Sequence, residues 1–325
     1  MRKSGLTLLI FFLMICATAS GQRWKRDREH IFFSMGATAF LGDLGGANNI
    51  GKNGPQDLDL SAMRPSLMAG FRYKLLQDVA IRGTLAFGYV SGNDKNTQEI
   101  FRNNRNIHFR STITELSVQG EYYFFSTQRE GARYRRLTRS RSNFGFSFNS
   151  YVFLGVGGFY YNPEAYFESA NYNGSVPADQ LPADGWYKLR ELKTEGQGYF
   201  TTRKEYSPFQ LTFPAGIGFS FGITDNLWIG LEVGYRTTFT DYIDDVSTTY
   251  VDPAVFSIIH SSNPQNIALA EYFANPTINT LGSNVTAPSQ QRGDPNNTDS
   301  FVFSMITMHF KMPQARRTYG TRRFR

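Results

Sequence analysis

Cysteine is nearly absent from this sequence of 325 residues. The single Cys16 lies in an N-terminal segment that has basic Arg2 and Lys3, an apolar core and small residues before Gln22. This pattern is typical of a secretory signal peptide, so we expect residues 1–21 to be removed. The mature chain would then hold no disulfide framework, no thiolate nucleophile and no cysteine-ligated metal.

Long apolar runs are also missing after residue 21, and none could cross a membrane as a helix. Histidine is scarce, and the four histidines have no metal-ligand spacing: His30, His108, His260 and His309. The sequence contains no nucleophile elbow and no phosphate-binding loop. We therefore predict a protein that is not an enzyme and binds no cofactor, with His309 as a structural side chain. An outer-membrane hydrolase that uses His and Ser is the alternative.

Acidic residues are concentrated in one segment, at Asp241, Asp244, Asp245 and Asp252. Their carboxylates are the hard oxygen ligands that Ca²⁺ prefers, but their spacing matches no standard calcium loop. We predict a solvated, capping loop without metal, and calcium binding is the alternative.

The segment that begins at Leu227 alternates apolar and polar residues over about fourteen positions, the period of a β-strand. One face carries Leu227, Ile229, Leu231, Val233, Tyr235 and Phe239, and the other carries Trp228, Gly230, Glu232, Gly234, Arg236 and Thr238. Strands of soluble sandwiches usually have about five or six residues, whereas a tilted strand that crosses a bilayer needs about nine to eleven. The length favours a transmembrane barrel strand.

Similar segments recur along the chain. They are Ile31–Leu41, Met63–Leu75, Ala80–Ser91, Thr112–Phe125, Phe146–Tyr161, Phe209–Phe221, the segment from Leu227, and Phe301–Lys311. We predict an all-β fold over residues 22–312, a small outer-membrane transmembrane barrel of about eight antiparallel strands with long extracellular loops. A soluble, lipocalin-like barrel is the alternative.

The connections between these segments alternate in length. With both termini in the periplasm, the long connections 42–62, 92–111, 162–207 and 241–300 lie outside the cell. The connections 76–79, 126–144 and 222–226 lie in the periplasm, where such barrels have short turns. The segment 126–144 is the single long exception.

Charged residues occupy the predicted lumen face of several strands. They are Arg72, Arg82, Glu115, Glu121, Glu232 and Arg236. An eight-stranded barrel is just wide enough for side chains to fill it. We predict ion pairs that fill and cross-link the barrel without conduction, and a proton or solute pathway is the alternative.

Positive charge is concentrated in three predicted periplasmic segments, residues 22–30, 126–144 and the tail 313–325. Together they hold fifteen Lys and Arg against three acidic residues, a net charge of +12. Arginine suits carboxylates and phosphates because its planar guanidinium donates two parallel hydrogen bonds. We predict a protein partner at Arg133, Arg135, Arg136, Arg139, Arg141, Arg316, Arg317, Arg322 and Arg323. A basic rim against lipid phosphate is the alternative, and a secreted barrel makes nucleic acid an implausible partner.

Three stretches resemble the PorG family, the outer-membrane component of the type IX secretion system. The first two are Gly42-Asp43-Leu44-Gly45-Gly46 and Arg105-Asn106-Ile107-His108-Phe109-Arg110-Ser111 with Ile113 and Glu115. The third is Gly230-Leu231-Glu232-Val233-Gly234-Tyr235-Arg236 running into Phe239-Thr240-Asp241-Tyr242-Ile243-Asp244-Asp245-Val246-Ser247. The resemblance spans most of the mature chain, but the basic C-terminal tail departs from the family pattern.

The resemblance implies a non-enzymatic outer-membrane barrel that scaffolds a periplasmic ring formed by a lipoprotein and its partner. It also implies a role in exporting proteins with a C-terminal sorting signal and, in some members, in gliding motility. An independent barrel for adhesion or ligand binding, working through its long outer loops, is the alternative function.

Overall fold

Nine β-strands form one antiparallel sheet in the computed structural model, which describes residues 28–44, 62–126, 147–224, 226–261, 263–278, 280–282 and 284–312. The strands are β1 (Glu29–Leu41), β2 (Arg64–Lys74), β3 (Val79–Asn93), β4 (His108–Ser126), β5 (Ser147–Phe167), β6 (Gly185–Lys188), β7 (Phe209–Gly222), β8 (Leu227–Thr238) and β9 (Ser300–Lys311). Strand β1 pairs with both β2 and β9, and β5 pairs with both β4 and β7. All strands except β6 therefore close into an eight-stranded barrel, which confirms the predicted fold class.

Side chains alternate between the lumen and the outer surface because successive residues of a strand point to opposite faces. Along β8, Trp228, Glu232 and Arg236 are buried, whereas Leu231 and Val233 are exposed. The same alternation extends along β4, the strand with 19 residues. The apolar side chains of β8 thus face outward and its charged side chains face the lumen, as the sequence pattern predicts.

Two strands extend further than the sequence predicts. Strand β4 begins at His108, not Thr112, and β5 continues to Phe167, not Tyr161. The two strands remain paired in this extension, where Arg110 lies opposite Glu164. The predicted strands ended where the alternation of apolar residues ends. Strand pairing can continue beyond that point, because backbone hydrogen bonds and cross-strand charge pairs do not need apolar side chains.

The predicted outer loops contain three short helices: α1 (Ile100–Arg105), α2 (Ala254–Ile259) and α3 (Pro264–Ala274). The side chain of Glu99 accepts hydrogen bonds from the first backbone N–H groups of α1. Asn263 caps α3 in the same way. Apolar residues of α2 and α3 pack with Phe167 and Leu192 in a core above the barrel. Within the part of the chain described, the helices are too short and too polar to cross a membrane.

Several predictions concern residues outside the described ranges. They are the signal peptide at residues 1–21 and nearly all of the basic segments 126–144 and 313–325, with their nine candidate arginines.

Candidate functional site

The lumen is filled at its centre by Arg82 of β3. Its Nη1 and Nη2 atoms lie 2.5 Å and 2.8 Å from the two carboxylate oxygens of Glu232 on β8. Its Nε donates to the side-chain oxygen of Gln119 on β4 at 2.8 Å. The hydroxyl of Tyr151 on β5 donates to Glu232 at 2.9 Å. The buried Arg82 guanidinium and the Glu232 carboxylate therefore join four strands across the lumen.

Two further ion pairs lie nearer the ends of the barrel. Arg72 approaches both oxygens of Glu121, with its Nη2 2.7 Å from Oε1 and its Nε 2.6 Å from Oε2. The Nη1 of Arg72 lies 3.0 Å from Nδ1 of His309. Arg236 donates from Nε to Glu115 at 3.2 Å. All six predicted lumen residues are buried, and each arginine lies against a glutamate, so the set is electrically balanced.

Aromatic rings occupy the space between the charges. The guanidinium carbon of Arg82 lies 4.2 Å from the ring centre of Phe153, and that of Arg236 lies 4.7 Å from Phe303. A cavity beside Arg72 and His309 has a volume of only about 10 Å³, room for about one water molecule. This packing suits a barrel whose lumen is filled by side chains around the three arginines.

The described residues of the three stretches that carry the family resemblance meet at one end of the barrel, the mouth, where α1, α2 and α3 lie. Arg105 donates to the carbonyl of Asp43 at 2.8 Å and binds the carboxylate of Asp94 at 2.7 Å and 2.9 Å. The backbone N–H of Leu44 donates to Asp244 at 3.2 Å. The contact between Leu44 and Asp244 thus joins the residues after β1 to the segment after β8, 200 residues further along the chain.

A second group of contacts centres on Glu195, which is fully buried. Its carboxylate accepts from the backbone N–H groups of Ser247 and Thr248, both at 3.0 Å. Arg292 donates to the same carboxylate at 2.8 Å and to the carbonyl of Asp245 at 2.8 Å. These bonds hold the segment after β8 across the mouth of the barrel.

Four carboxylates at the mouth lie close to one another: Asp43, Asp241, Asp244 and Asp299. Burial, with a smaller effect of the neighbouring Asp43 and Asp244 carboxylates, raises the pKa of Asp241 to about 9. Burial, followed by the charges of Asp244 and Asp241, raises the pKa of Asp299 well above its ordinary value. The carboxyl groups of Asp241 and Asp299 are therefore favoured in their protonated, neutral form.

The predicted solvated loop at Asp241, Asp244, Asp245 and Asp252 is wrong for the first three residues, which are buried, and right only for the exposed Asp252. Asp245 accepts hydrogen bonds from Thr194 and Tyr206 at 2.5 Å and 2.7 Å, so its carboxylate is used to fix the loop. Across the described ranges, no group of three or more His, Cys, Asp or Glu side chains is arranged to hold a metal ion.

Sequence reasoning missed Asp94, Glu195, Arg292 and Asp299. Glu195, Arg292 and Asp299 bond to groups far away along the chain, such as Arg292 to Glu195, 97 residues apart. Asp94 bonds to Arg105, 11 residues away. The polar segments that carry them have no periodicity, so nothing in the local sequence marked them. Of the four histidines, His309 lies in the lumen, and His108 accepts a hydrogen bond from the backbone N–H of Tyr166. His260 contacts the carbonyl of Leu192, and His30 is buried at the start of β1.

An apolar band surrounds the barrel. Each of its eight strands exposes a large apolar side chain, with exposed fractions between 53% and 67%, at Met35, Leu67, Leu85, Leu116, Leu154, Leu211, Leu231 and Ile306. Soluble monomers rarely expose contiguous apolar patches larger than a few hundred Å². A continuous band on the outside and charges on the inside are the arrangement of a transmembrane barrel. The band excludes the soluble, lipocalin-like alternative.

A family model described as "Domain of unknown function (DUF6089)" matches residues 8–179. The chain belongs to this family. A search of curated proteins found no match.

Solved structures with a similar fold include Ail, the attachment invasion locus protein of Yersinia pestis, in complex with the heparin analogue sucrose octasulfate. It is 10% identical, with a TM-score of 0.34, and the alignment covers 88% of this chain and 99% of Ail. Neisserial surface protein A is 7% identical, with a TM-score of 0.33 and coverage of 87% and 97%. The N-terminal barrel domain of Pseudomonas aeruginosa OprF is 8% identical, with a TM-score of 0.31 and coverage of 88% and 98%.

Proposed function

We propose that this protein is a closed outer-membrane barrel that anchors the periplasmic ring of the type IX secretion and gliding machinery to the membrane. The observation that carries the proposal is the position of the chain ends. Strand β1 starts opposite the end of β9, where His30 pairs with Lys311, and β4 ends opposite the start of β5. All three basic segments therefore join the barrel at one end.

The orientation of this end follows from the lengths of the connections. At this end β2 and β3 are joined by residues 75–78, and β7 and β8 by residues 223–226. Residues 127–146, which join β4 and β5, are the one longer connection at this end. The opposite end carries the other long connections and the helices α1, α2 and α3. Outer-membrane barrels have short turns on the periplasmic side and long loops outside the cell. The proposal places both chain ends and the basic segments in the periplasm.

The charge of these segments supports an acidic protein partner. They carry a net charge of +12, mostly as arginine. Guanidinium groups bind carboxylates with two parallel hydrogen bonds, which gives a contact both strength and orientation. The filled lumen supports the same proposal, because cross-linked strands form a rigid base and leave no path for a transported substrate. We propose the lipoprotein of the ring and the protein bound to it as these partners.

The family resemblance supplies the identity of the machine. The stretches that carry it form the outer mouth, where Arg105 pairs with Asp94 and donates to the carbonyl of Asp43, and the N–H of Leu44 donates to Asp244. The two ends of the barrel thus have different proposed roles: an outer mouth fixed by hydrogen bonds and a basic periplasmic surface that binds a partner.

One observation favours the alternative of a ligand-binding barrel. A cavity of about 690 Å³ opens between the outer connections, beside Phe101, Arg102, Tyr250 and Gln290. This volume falls in the range of small-molecule sites. A ligand-binding barrel would need this cavity and would not need the periplasmic arginines.

Co-purification separates the two functions. An affinity-tagged barrel is extracted from native cells in mild detergent, and its partners are identified by mass spectrometry. The anchoring role predicts that the periplasmic ring proteins co-purify at low salt and are released as the salt concentration rises. A barrel that purifies without periplasmic proteins at low salt contradicts it.

A further inference from the structure

A second cavity lies on the outer surface of the barrel, near the outer ends of β2, β3 and β4. It has a volume of about 410 Å³ and is lined by Arg64, Tyr89, His108, Arg110 and Trp186, among other residues. Two arginines line it, and no acidic residue does. Lys95 does not line the cavity, but it is exposed and lies two residues after the lining residue Asn93. The side chain of Asn93 accepts a hydrogen bond from the Lys95 N–H at 2.9 Å. The cavity therefore favours an anion.

Neighbouring side chains hold Arg110 and Arg64 in place. The guanidinium carbon of Arg110 lies 3.7 Å from the ring centre of Trp186, which also packs edge-on against Tyr166 with ring centres 5.6 Å apart. Arg110 donates to a single oxygen of Glu164 from Nε and Nη2, at 3.1 Å and 3.0 Å, and its side chain remains 41% exposed. Arg64 donates from Nε to Ser91 at 2.9 Å. Both guanidinium groups keep further N–H donors for a ligand.

The cavity lies just above the apolar band. Tyr89 is the last exposed aromatic residue of β3, and Ser91, two residues further along, pairs in register with Arg110. Two residues of a strand span about 7 Å, so Arg110 lies about one headgroup's depth beyond the apolar band. Trp186 and Tyr166 have the amphipathic rings that occur at membrane interfaces. A phosphate carried by a lipid of the outer leaflet reaches this depth.

We propose that this cavity binds the phosphate of a phosphorylated glycolipid in the outer leaflet, with Arg64 and Arg110 as its ligands and Trp186 and Tyr89 against its sugar and acyl chains. The inference rests on the outer orientation assigned under the proposed function. It does not rest on the secretion role, since the lipid site and the basic periplasmic segments lie at opposite ends of the barrel.

The test uses the full barrel in phosphatidylcholine nanodiscs with and without lipid A, a diphosphorylated glucosamine lipid. Retained lipid is counted by native mass spectrometry after release into detergent. Wild-type protein should retain the diphosphorylated lipid, and Arg64→Gln with Arg110→Gln should retain it at least tenfold less. The matched control, Lys193→Gln with Lys204→Gln, removes two positive charges from outer segments that do not line the cavity and should behave as wild type. Lys95→Gln alone should lower retention by a smaller factor.

Three results would overturn the inference. The first is equal retention by the Arg64 and Arg110 variant and by the lysine control, with both proteins folded by heat-modifiable gel mobility. The second is equal retention of enzymatically dephosphorylated lipid, which would assign binding to the acyl chains. The third is complete displacement by millimolar inorganic phosphate, which would assign the cavity to free phosphate. None of these results bears on recovery of ring proteins in the co-purification.

Discussion

Arg82 of β3 and Glu232 of β8 face each other across the lumen and form a bidentate ion pair, although they are 150 residues apart in the chain. The pair is fully shielded from solvent. Removing one partner of a buried pair leaves the other charge without compensation, which usually costs about 3–5 kcal/mol. The pair therefore fixes the relative position of β3 and β8 and closes the centre of the barrel.

The first prediction concerns this pair. Glu232→Gln should lower the free energy of unfolding by about 1.5–3 kcal/mol, because Arg82 loses its bidentate carboxylate and keeps only the longer contact with Glu121 at 3.3 Å. Urea unfolding in detergent, followed by tryptophan fluorescence, measures the change. Glu205→Gln removes an exposed carboxylate from an outer connection and should change the free energy by less than about 0.5 kcal/mol. Equal, small effects for both variants would show that the pair does not stabilise the barrel.

The second prediction concerns the apolar band. Leu231→Arg places a cation in the middle of the band and should cost about 2–4 kcal/mol, whereas Phe239→Arg, beyond the end of β8, should cost about 1 kcal/mol or less. Both side chains face outward, so depth in the membrane is the main difference. Unfolding from lipid vesicles measures the two costs. A larger cost at Phe239 would place the bilayer at a different height on the barrel.

The third prediction concerns pH. Burial raises the pKa of Asp241 to about 9 in the folded protein, above about 3.9 for an unperturbed aspartate. Its stabilising contribution is therefore fully present below about pH 4 and is lost as the pH rises toward 9. Asp241→Asn should leave stability unchanged near pH 4 and raise it by about 1–3 kcal/mol above pH 9, where wild type holds a buried charge.

Thermal unfolding at several pH values checks this dependence. Asp179→Asn, at an exposed position, is the control and should give parallel curves at every pH. A stabilisation by Asp241→Asn that is equal at pH 4 and pH 10 would contradict the assignment of the effect to the Asp241 charge.

The fourth prediction concerns orientation. Single cysteines are introduced at Gln77, in the short connection between β2 and β3, and at Ser257, in α2. Both positions are exposed, and the mature chain has no cysteine of its own after residue 21. A membrane-impermeant maleimide should label Ser257→Cys and not Gln77→Cys on intact cells. The reverse labelling would mean that the barrel has the opposite orientation, with the basic segments outside the cell.

The sequence alone was sufficient to predict the barrel because its strands alternate strictly. Leu231 outside and Glu232 inside follow from a period of two, and a lumen just wide enough for side chains makes pairing of Arg82 and Arg236 with glutamates a natural expectation. The partners themselves are set by strand register around a closed sheet. That Arg82 meets Glu232 and not Glu115 depends on which strands lie opposite one another.

The outer mouth could not be predicted in this way. Asp244 and Asp245 have the composition of a solvated loop, and only the contacts of Leu44, Thr194 and Tyr206 bury them. The cavity at Arg64 and Arg110 depends on the extension of β4 and β5 beyond the membrane and on Trp186 of the short β6, none of which has an apolar periodicity.

The central claim is that the periplasmic arginines bind the barrel to the secretion ring. Arg133, Arg135, Arg136, Arg139 and Arg141 are changed together to Gln in a strain that also lacks residues 316–325. Its control changes Lys95, Lys188, Lys193 and Lys204 to Gln, which removes positive charge from the outer end. Exposed ion pairs are individually worth less than about 1 kcal/mol, but several acting together should lower recovery of the ring proteins by more than about tenfold.

Quantitative mass spectrometry of ring proteins recovered with the tagged barrel is the decisive measurement. Both variants should keep wild-type abundance and heat-modifiable mobility in the outer membrane. Only the arginine variant should lose the ring proteins and export less substrate. Undiminished recovery of the ring proteins with full export in the arginine variant would contradict the docking role and leave the arginines as a basic rim against lipid phosphate.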